Sequence, residues 1–290
     1  PPQAHLLLVG DADQLPSVGS GNVLKDLIDS KLLTVTRLEV TFRQAENSGI
    51  VGLAHGILEG KASTPPPIDH PSALDPRHDV HFVRANTPED CVKAITLLCR
   101  EVLPKKFSVD VRTQVQVLAP LHRGIGGIGN LNDQIRDAIN PTGATQVMGP
   151  FLFREGDKVI QTRNNYDKDV FNGDMGIVDA VDTLNGKVEI VFDDRRIVYE
   201  RMEVTDLQPA YAISVHKSQG SEYPVIIFPL LKQHFMMLQR NLVYTGLTRA
   251  KKKVVFVGEP AAYAMAIRND KTLVRQTDLV RKLTDCKKRN

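Results

Sequence analysis

Residues 210–222, AYAISVHKSQGSE, decide the architecture of this chain. An apolar run, Ala210–Val215, ends in a polar loop of small residues that contains Gly220. A short apolar run followed by a glycine-containing loop is typical of a buried parallel strand. In open α/β sheets, ligands bind at the loops that follow the carboxyl ends of such strands. The stretch therefore predicts an α/β domain with a functional loop at 216–222.

Apolar runs on both sides of this loop extend the α/β pattern. Strands are also expected at 5–9, Val35–Phe42, His81–Val83, Val115–Leu118, Val225–Pro229 and Val254–Val257. Helices are expected at Val23–Leu33, Ile50–Leu58, Pro88–Val102, Leu131–Ile139 and Asn241–Ala250. The proline-rich segment 61–79 is expected to be a surface excursion that is partly disordered.

The pattern changes between residues 151 and 205. Short alternating runs at Lys158–Arg163, Gly176–Asp182, Lys187–Phe192 and Arg196–Tyr199 are separated by turn signals such as Asn172-Gly173 and Asn185-Gly186. Such closely spaced strands indicate a small antiparallel barrel. A stretch of roughly 50 residues is longer than any ordinary loop, so the barrel is expected to be inserted into the α/β domain.

Composition and charge exclude several classes of protein. The chain has 290 residues, of which 42% are hydrophobic and 24% charged, as in globular domains and unlike disordered chains. No apolar run approaches the ~20 residues of a membrane span, so no membrane partner is expected. The net charge of +3 is too small to predict nucleic-acid binding by itself. Three cysteines without C-x-x-C spacing predict neither a zinc site nor a disulfide framework.

Two segments near strand ends carry groups that suit phosphate chemistry. In Gly10–Pro16, the Gln14 amide offers both a donor and an acceptor, so it can sense a terminal phosphate and orient a water. In Thr41–Gln44, Arg43 presents a planar fork that fits phosphate oxygens. The alternative interpretations are a structural turn for the first segment and a surface ion-pair partner for the arginine.

Two further segments lie in the C-terminal part. The loop after Val215 offers donors to a phosphate backbone from His216, Lys217 and Ser218, and Glu222 could accept from a ribose hydroxyl. Arg249, in the phrase YTGLTRA, is a candidate arginine finger. The alternative interpretations are an ordinary strand–helix loop and a solvated surface arginine.

Taken in order, these segments resemble motifs III, IV, V and VI of superfamily 1 helicases of the RecD-like group. The phrases that carry the resemblance are GDADQLPSVG, TFRQ, VLAPLHRG, GDKVIQTRNNY, AYAISVHKSQGSE and LVYTGLTRAKKKVVFVGE. The resemblance implies a RecA-like α/β motor with an inserted SH3-like barrel. It divides the chain into the end of motor domain 1A at 1–33, domain 2A at 34–150 and 206–290, and the SH3-like domain 2B at 151–205.

The resemblance also implies an activity and partners. The family uses ATP and Mg²⁺ to move 5′-to-3′ along single-stranded DNA and to separate duplexes, in recombination and repair. The expected partners are single-stranded DNA, single-strand/duplex junctions, ATP, a missing N-terminal motor half and subunits of a recombination nuclease, in the bacterial cytoplasm. Two alternatives stay open: a non-catalytic DNA-binding module, and a subunit of such a nuclease complex.

Site residues follow from the resemblance, position by position. The residues expected at ATP are Asp11, Gln14, Arg43, Gly220, Glu222 and Arg249, with Gln14, Arg43 and Arg249 in catalytic roles. Those expected at DNA are Arg123, Asn164, Asn165, Tyr166, His216, Lys217 and Ser218. In the barrel, the alternative is that the two asparagines form turns and that the tyrosine packs on the barrel.

The sequence contains no phosphate-cradling G-x-x-x-x-G-K-[ST] loop. The acidic pair that would hold Mg²⁺ is also missing, because Asp193-Asp194 is expected in a hairpin of the barrel. The family places both motifs upstream of motif III, so truncation is the expected explanation. The chain alone is expected to bind ATP weakly and not to hydrolyse it.

Overall fold

The computed structural model describes residues 3–16, 19, 21–38, 48–143, 145–148, 151–270 and 277–289. The helices in chain order are α1 (Val23–Asp29), α2 (Gly49–Leu58), α3 (Pro88–Leu97), α4 (Leu103–Phe107), α5 (Val111–Gln114), α6 (Ile128–Ile139), α7 (Arg240–Leu247), α8 (Pro260–Arg268) and α9 (Leu279–Arg289). The strands are β1 (Pro67–Ile68), β2 (Val80–Arg84), β3 (Val115–Ala119), β4 (Thr145–Met148), β5 (Phe151–Arg154), β6 (Lys158–Gln161), β7 (Met175–Asp182), β8 (Lys187–Phe192), β9 (Arg195–Tyr199), β10 (Leu207–Pro209), β11 (Ala212–Ser214), β12 (Tyr223–Leu230) and β13 (Ala250–Gly258).

Six strands form a parallel sheet in the order β1-β2-β13-β12-β3-β11, with helices on both faces. The surroundings of β12 explain why its sequence is an almost unbroken apolar run. Its Ile226 and Phe228 side chains enter a core shared with α2, α7 and α8. Its Val225 and Ile227 side chains enter a second core shared with α3 and α6. A strand that is covered on both faces needs apolar residues at every position.

A second sheet is antiparallel and has the order β10-β6-β7-β8-β9. It encloses its own core, in which Phe153, Ile190, Phe192 and Tyr199 are at most 2% exposed. The hairpin β4–β5 precedes it. The predicted strand at Lys187–Phe192 matches β8 residue for residue, and Asp193-Asp194 lies in the turn before β9 as predicted.

Two N-terminal strand predictions differ from the structure. Residues 5–9 form no strand, and the side chains of Leu6, Leu7 and Val9 are 84%, 84% and 86% exposed. An apolar run becomes a strand only where a neighbour pairs with its N–H and C=O groups, and no described strand does so here. For the predicted strand Val35–Phe42, residues 35–38 are not in a strand, and 39–42 lie outside the described residues.

Three other boundaries are corrected. The predicted helix Val23–Leu33 ends at Asp29, where the chain turns through Lys31 with a φ of +54°. The predicted helix Pro88–Val102 is α-helical to Leu97 and continues as a π-helical turn into α4. The segment 61–79, predicted to be a partly disordered surface excursion, supplies the edge strand β1 and the fully buried Leu74.

The three cysteines have different environments. Cys91 and Cys99 are buried beneath the parallel sheet, and burial raises the pKa of each thiol to about 12. Cys286 is exposed on α9, which packs against α1. None of them forms a disulfide.

No helix in the described part of the chain has the length and apolar character needed to cross a membrane.

Candidate functional site

The loop 11–15 is joined to two distant parts of the sequence. The backbone N–H of Leu15 donates to Oγ1 of Thr245 on α7, at 2.8 Å. The carbonyl oxygen of Leu15 accepts from Nε2 of Gln219, at 2.6 Å. Leu15 is buried, so both backbone groups need these partners. Three of the four segments singled out in the sequence therefore meet at one place.

The carboxylate of Asp11 organises this loop. Its oxygens accept from Nε2 of Gln14 at 3.0 Å, from the Tyr244 hydroxyl at 3.2 Å and from the backbone N–H of Asp13 at 3.0 Å. Burial and the nearby Asp11 charge raise the pKa of Tyr244. The Gln14 side chain is thus held at the open end of the loop.

Sequence reasoning missed Tyr244 and Thr245 as members of the site. Both belong to the phrase YTGLTRA, but only Arg249 was singled out there. The helical positions 244 and 245 face the loop 11–15, and they are the residues that fix it to α7. A hydroxyl pair one turn before a candidate arginine is the signal that could have found them.

Arg249 is 6% exposed, and its guanidinium points back towards the protein. Nε donates to the carbonyl of Thr245 at 3.3 Å, and Nη1 donates to the carbonyl of Ser221 at 3.2 Å. Glu222 forms an ion pair with Lys251 at 3.3 Å. Gly220 is exposed with a φ of +84°, in the left-handed region that favours glycine. Arg249 and the loop 220–222 thus adjoin each other.

A cavity of about 150 Å³ adjoins the loop. It is lined by Gln14 and by charged groups of both signs, including Lys25, Arg240, Asp13 and Asp270. Ligand pockets for nucleotide-sized molecules typically enclose about 300–1,000 Å³. Of the described residues predicted to meet ATP, Gln14 lines this cavity, whereas Asp11, Gly220, Glu222 and Arg249 do not.

The loop 216–218 is a single 3-10 turn after β11. Nζ of Lys217 donates to Oε1 of Gln208 at 3.1 Å, and burial lowers the pKa of this lysine. Ser218 is fully buried, and its hydroxyl donates to the carbonyl of Val215 at 2.7 Å. His216 is half-buried. Of the three predicted DNA contacts in this loop, Ser218 has its hydroxyl committed inside the protein.

Arg123 lies exposed in the turn between β3 and α6. The turn is closed by hydrogen bonds from Gly127 N–H to Gly124 and from Ile128 N–H to Leu121. A Cβ at Gly127 would lie 2.5 Å from the Arg123 carbonyl oxygen, so only glycine fits there. The arginine therefore sits on a tight turn at the start of a twelve-residue helix.

The predicted barrel contacts share one exposed loop. Asn164 accepts from the Asn172 N–H, and Asn165 accepts from the Lys168 N–H, so both asparagines shape the turn. Tyr166 is 77% exposed and meets Phe171 edge to face, with ring centroids 6.0 Å apart. The asparagines match the structural alternative, whereas the tyrosine ring stands in solvent.

Arg43 lies outside the described residues. Among the side chains that the structure describes, no group of three or more histidine, cysteine or acidic residues could hold a metal ion. The sequence also lacks the phosphate-cradling loop, so the residues present do not make up a complete ATP site.

Three family models match separate parts of the chain. A UvrD-like helicase C-terminal domain matches residues 209–257, the SH3 domain of ATP-dependent RecD-like DNA helicases matches 131–192, and an AAA domain matches 1–85. The SH3 match covers β4 to β8 and begins earlier, within α6.

Curated relatives match nearly the whole chain. The ATP-dependent RecD2 DNA helicase of Deinococcus radiodurans is 33% identical over 266 residues, covering 92% of this chain and 34% of the relative. The RecBCD enzyme subunit RecD of Mycolicibacterium smegmatis is 29% identical over 289 residues, covering 97% of this chain and 50% of the relative. The chain thus spans a third to a half of the length of these relatives.

A solved structure shares the fold. The Pif1 helicase from Bacteroides, in complex with ADP-AlF3 and single-stranded DNA, superposes with a TM-score of 0.52 at 15% identity, covering 97% of this chain and 66% of that one. With the SH3 match, this supports the predicted RecA-like motor fold with an SH3 insertion.

Proposed function

The chain is a RecD-like superfamily 1 helicase sequence, and from this premise we propose that it is the 2A–2B part of an ATP-driven DNA helicase. In the proposed protein, residues 1–33 complete domain 1A, residues 34–150 and 206–290 form domain 2A, and residues 151–205 form the SH3-like domain 2B. The proposed activity is 5′-to-3′ translocation on single-stranded DNA, in recombination and repair.

One observation carries the proposal. The segment 11–15 is joined by hydrogen bonds to Thr245 and Tyr244 on α7 and to Gln219 in the loop after β11. A motor must link the groups that sense phosphate to the groups that hold the strand. Here the two are separated by a few hydrogen bonds.

The nucleotide-facing side is assigned to Asp11, Gln14, Arg43, Gly220, Glu222 and Arg249. Bound Mg²⁺–ATP would supply the chemical energy, and these residues would sense its phosphates. The Arg249 side chain would have to leave its carbonyl partners to reach a phosphate, since they now hold it inward. Without the phosphate-cradling lysine, we propose that this chain alone hydrolyses no ATP.

The DNA-facing side is assigned to Arg123, to His216 and Lys217 in the loop after β11, and to Tyr166 in the barrel. Exposed arginine suits phosphate, and an exposed aromatic ring suits stacking on bases. Ser218 is assigned to shaping its loop because its hydroxyl is buried, and Asn164 and Asn165 because their side-chain oxygens accept from backbone N–H groups of the barrel loop.

The test is fluorescence anisotropy of a labelled oligothymidylate at low and moderate salt, with and without ATP. We expect salt-sensitive binding that ATP does not change, and no phosphate release in a parallel ATPase assay. Tyr166→Ala should weaken binding, whereas Leu184→Ala, at a 95% exposed site of the same barrel, should not. No binding by the unmodified chain at low salt would contradict the DNA assignment, and measurable ATPase would contradict the inactivity.

A second candidate role is supported by the relatives named as RecBCD enzyme subunits. In that case the full protein would work inside a recombination nuclease, and junction binding would depend on its partners. Affinity purification of the tagged full-length protein from its source cell distinguishes the two roles, because nuclease subunits would co-purify only in the second.

A further inference from the structure

The chain passes from the barrel to the parallel sheet in two residues. β10 ends at Pro209 and pairs with β6 of the barrel, while β11 begins at Ala212 and pairs with β3 of the parallel sheet. Ala210 and Tyr211 between them are 0% and 3% exposed. Ala210 N–H donates to Lys158 in the barrel, and the Tyr211 carbonyl accepts from Val117 N–H in the sheet. This crossing leads through β11 to the loop 216–218.

Lys158 reaches from the barrel into the parallel sheet. It is 3% exposed, and its Nζ donates to the Val115 carbonyl at 3.1 Å and to Oε1 of Gln116 at 2.8 Å. The ammonium also lies 5.6 Å from the centroid of the Tyr223 ring on β12. A buried cation requires such partners, so the barrel strand β6 is tied to β3 at this point.

Gln116 links Lys158 to the two residues of the crossing. Its side-chain Nε2 donates to the carbonyls of Ala210 and Tyr211 at 3.0 and 3.1 Å. Gln116 is itself fully buried. One amide therefore holds both the lysine of the barrel and the two residues that precede β11.

Asp157, the neighbour of Lys158, makes a parallel connection. Its Oδ1 accepts from the Tyr211 hydroxyl at 3.1 Å and from Nδ2 of Asn140, at the end of α6, at 2.8 Å. The carboxylate is 3% exposed. A third link joins Lys217 of the loop to Gln208 of β10 at 3.1 Å.

From this convergence we propose that Asp157, Lys158, Gln116 and Tyr211 form a positioning hub that holds the barrel and the loop 216–218 as one DNA-binding unit. The inference rests on the proposed DNA-binding function and adds how its two surfaces are joined. Lys158 and Gln116 touch no DNA in this proposal; they act through the orientation of the barrel.

The choice of residue types supports an orienting role. Apolar residues of similar volume often fill a buried site with equal or greater stability than charged ones. Buried polar groups with directional partners instead restrict the geometry that two parts of a protein can adopt. Here Asp157 and Lys158 both bond to partners outside the barrel. Lys158 donates to Gln116 of the parallel sheet, and Asp157 accepts from Tyr211 of the crossing.

Multivalent binding provides the test. Two surfaces held as one unit bind a strand long enough to span both more tightly than either alone. Anisotropy is measured with oligothymidylates of about 6 and about 20 nucleotides, shorter and longer than one small barrel covers. The proteins are the unmodified chain, Lys158→Met, Gln116→Met, the double variant and Lys187→Met. Lys187 is an exposed lysine of the same barrel, paired with Glu200.

We expect the unmodified chain and Lys187→Met to gain roughly tenfold or more in affinity from the longer strand. Lys158→Met and Gln116→Met should each lose most of that gain while binding the short strand unchanged. The double variant should lose no more than either single variant, because both break one connection. If Lys158 and Gln116 had a purely structural role, their substitution would instead weaken the binding of the short and the long strand alike.

Tyr211→Phe is the milder variant if Lys158→Met does not fold, since it removes only the hydroxyl that reaches Asp157. If every folded hub variant kept the full increase in affinity from the short to the long strand, the hub proposal would be wrong and the DNA-binding proposal would be unaffected. If the unmodified chain binds neither strand, the DNA-binding proposal fails first, and the hub with it.

Discussion

Lys158 is a residue whose ionisation should be visible in the stability of the whole chain. Burial lowers its pKa from 10.5 to about 8, against a weaker opposite effect of Cys99 and Asp110. In the unfolded chain the amine would titrate near its ordinary value. Between pH 8 and 10.5 the unfolded chain therefore binds more protons than the folded one. The contribution of this group to stability must rise with pH across that window.

The corresponding prediction compares Lys158→Met with the unmodified chain at pH 7.5 and pH 9. The free energy of unfolding of the unmodified chain should rise by about 1 kcal/mol relative to the variant. Urea unfolding at the two pH values measures it. The two buried thiols make stability fall as pH rises, and both proteins contain them. Subtracting the free energy of unfolding of the variant from that of the unmodified chain therefore removes their contribution. An unchanged difference would mean that Lys158 is not titrating in this range.

Thr245 is the residue through which the N-terminal loop is held. Thr245→Val removes the acceptor of the buried Leu15 N–H and should cost about 1–3 kcal/mol. Hydrogen exchange should show faster exchange of the Leu15 amide. Thr284→Val is the matched control, because both hydroxyls donate to the carbonyl four residues earlier, but only Thr245 bonds to a distant segment. Equal protection of Leu15 in both variants would contradict the assignment.

At the scale of elements, α7 is packed closely against β12 at Gly246. A Cβ there would lie 2.5 Å from the ring of Phe228. Gly246→Ala should therefore destabilise the chain by about 1–3 kcal/mol. Gly52→Ala in α2 has open space around it and should stabilise by about 0.5–1 kcal/mol. Thermal unfolding of the two variants should show midpoints that move in opposite directions.

The elements that sequence reasoning located well are those with local signals. β8 begins with alternating polar and apolar residues, buries every second side chain and is bounded by turns, so its ends were predictable. The run 5–9 carries the same apolar signal as a buried strand, but pairing depends on a neighbour that local sequence does not reveal. Leu15 and Thr245 are 230 positions apart in the sequence, and no local pattern indicates the hydrogen bond between them. The resemblance placed their two segments in one site but did not identify this bond.

At the scale of the whole molecule, binding to DNA should be weak and dependent on salt. The net charge is +3, and several of the basic side chains in the barrel are paired with acidic ones. Few cations are therefore left to displace counterions from a strand. Each phosphate contact contributes roughly 0.7 to the slope of log affinity against log salt for single strands.

Arg123→Ala should lower that slope by roughly 0.7, because the residue is exposed and assigned to one phosphate. Titrations at four salt concentrations give the slope. Arg77→Ala is the control, since Arg77 is also exposed but is bound to Asp75. A slope that Arg123→Ala leaves unchanged would remove this residue from the DNA surface.

The contrast among the three thiols gives the native chain an internal reporter. Cys286 stands in solvent on α9, whereas Cys91 and Cys99 are buried and hold their protons to a pKa of about 12. Alkylation requires an accessible thiolate. A maleimide dye should attach quickly at one known position without any cysteine being replaced. The slower attachment of dye to Cys91 and Cys99 would then measure the rate at which the parallel sheet opens.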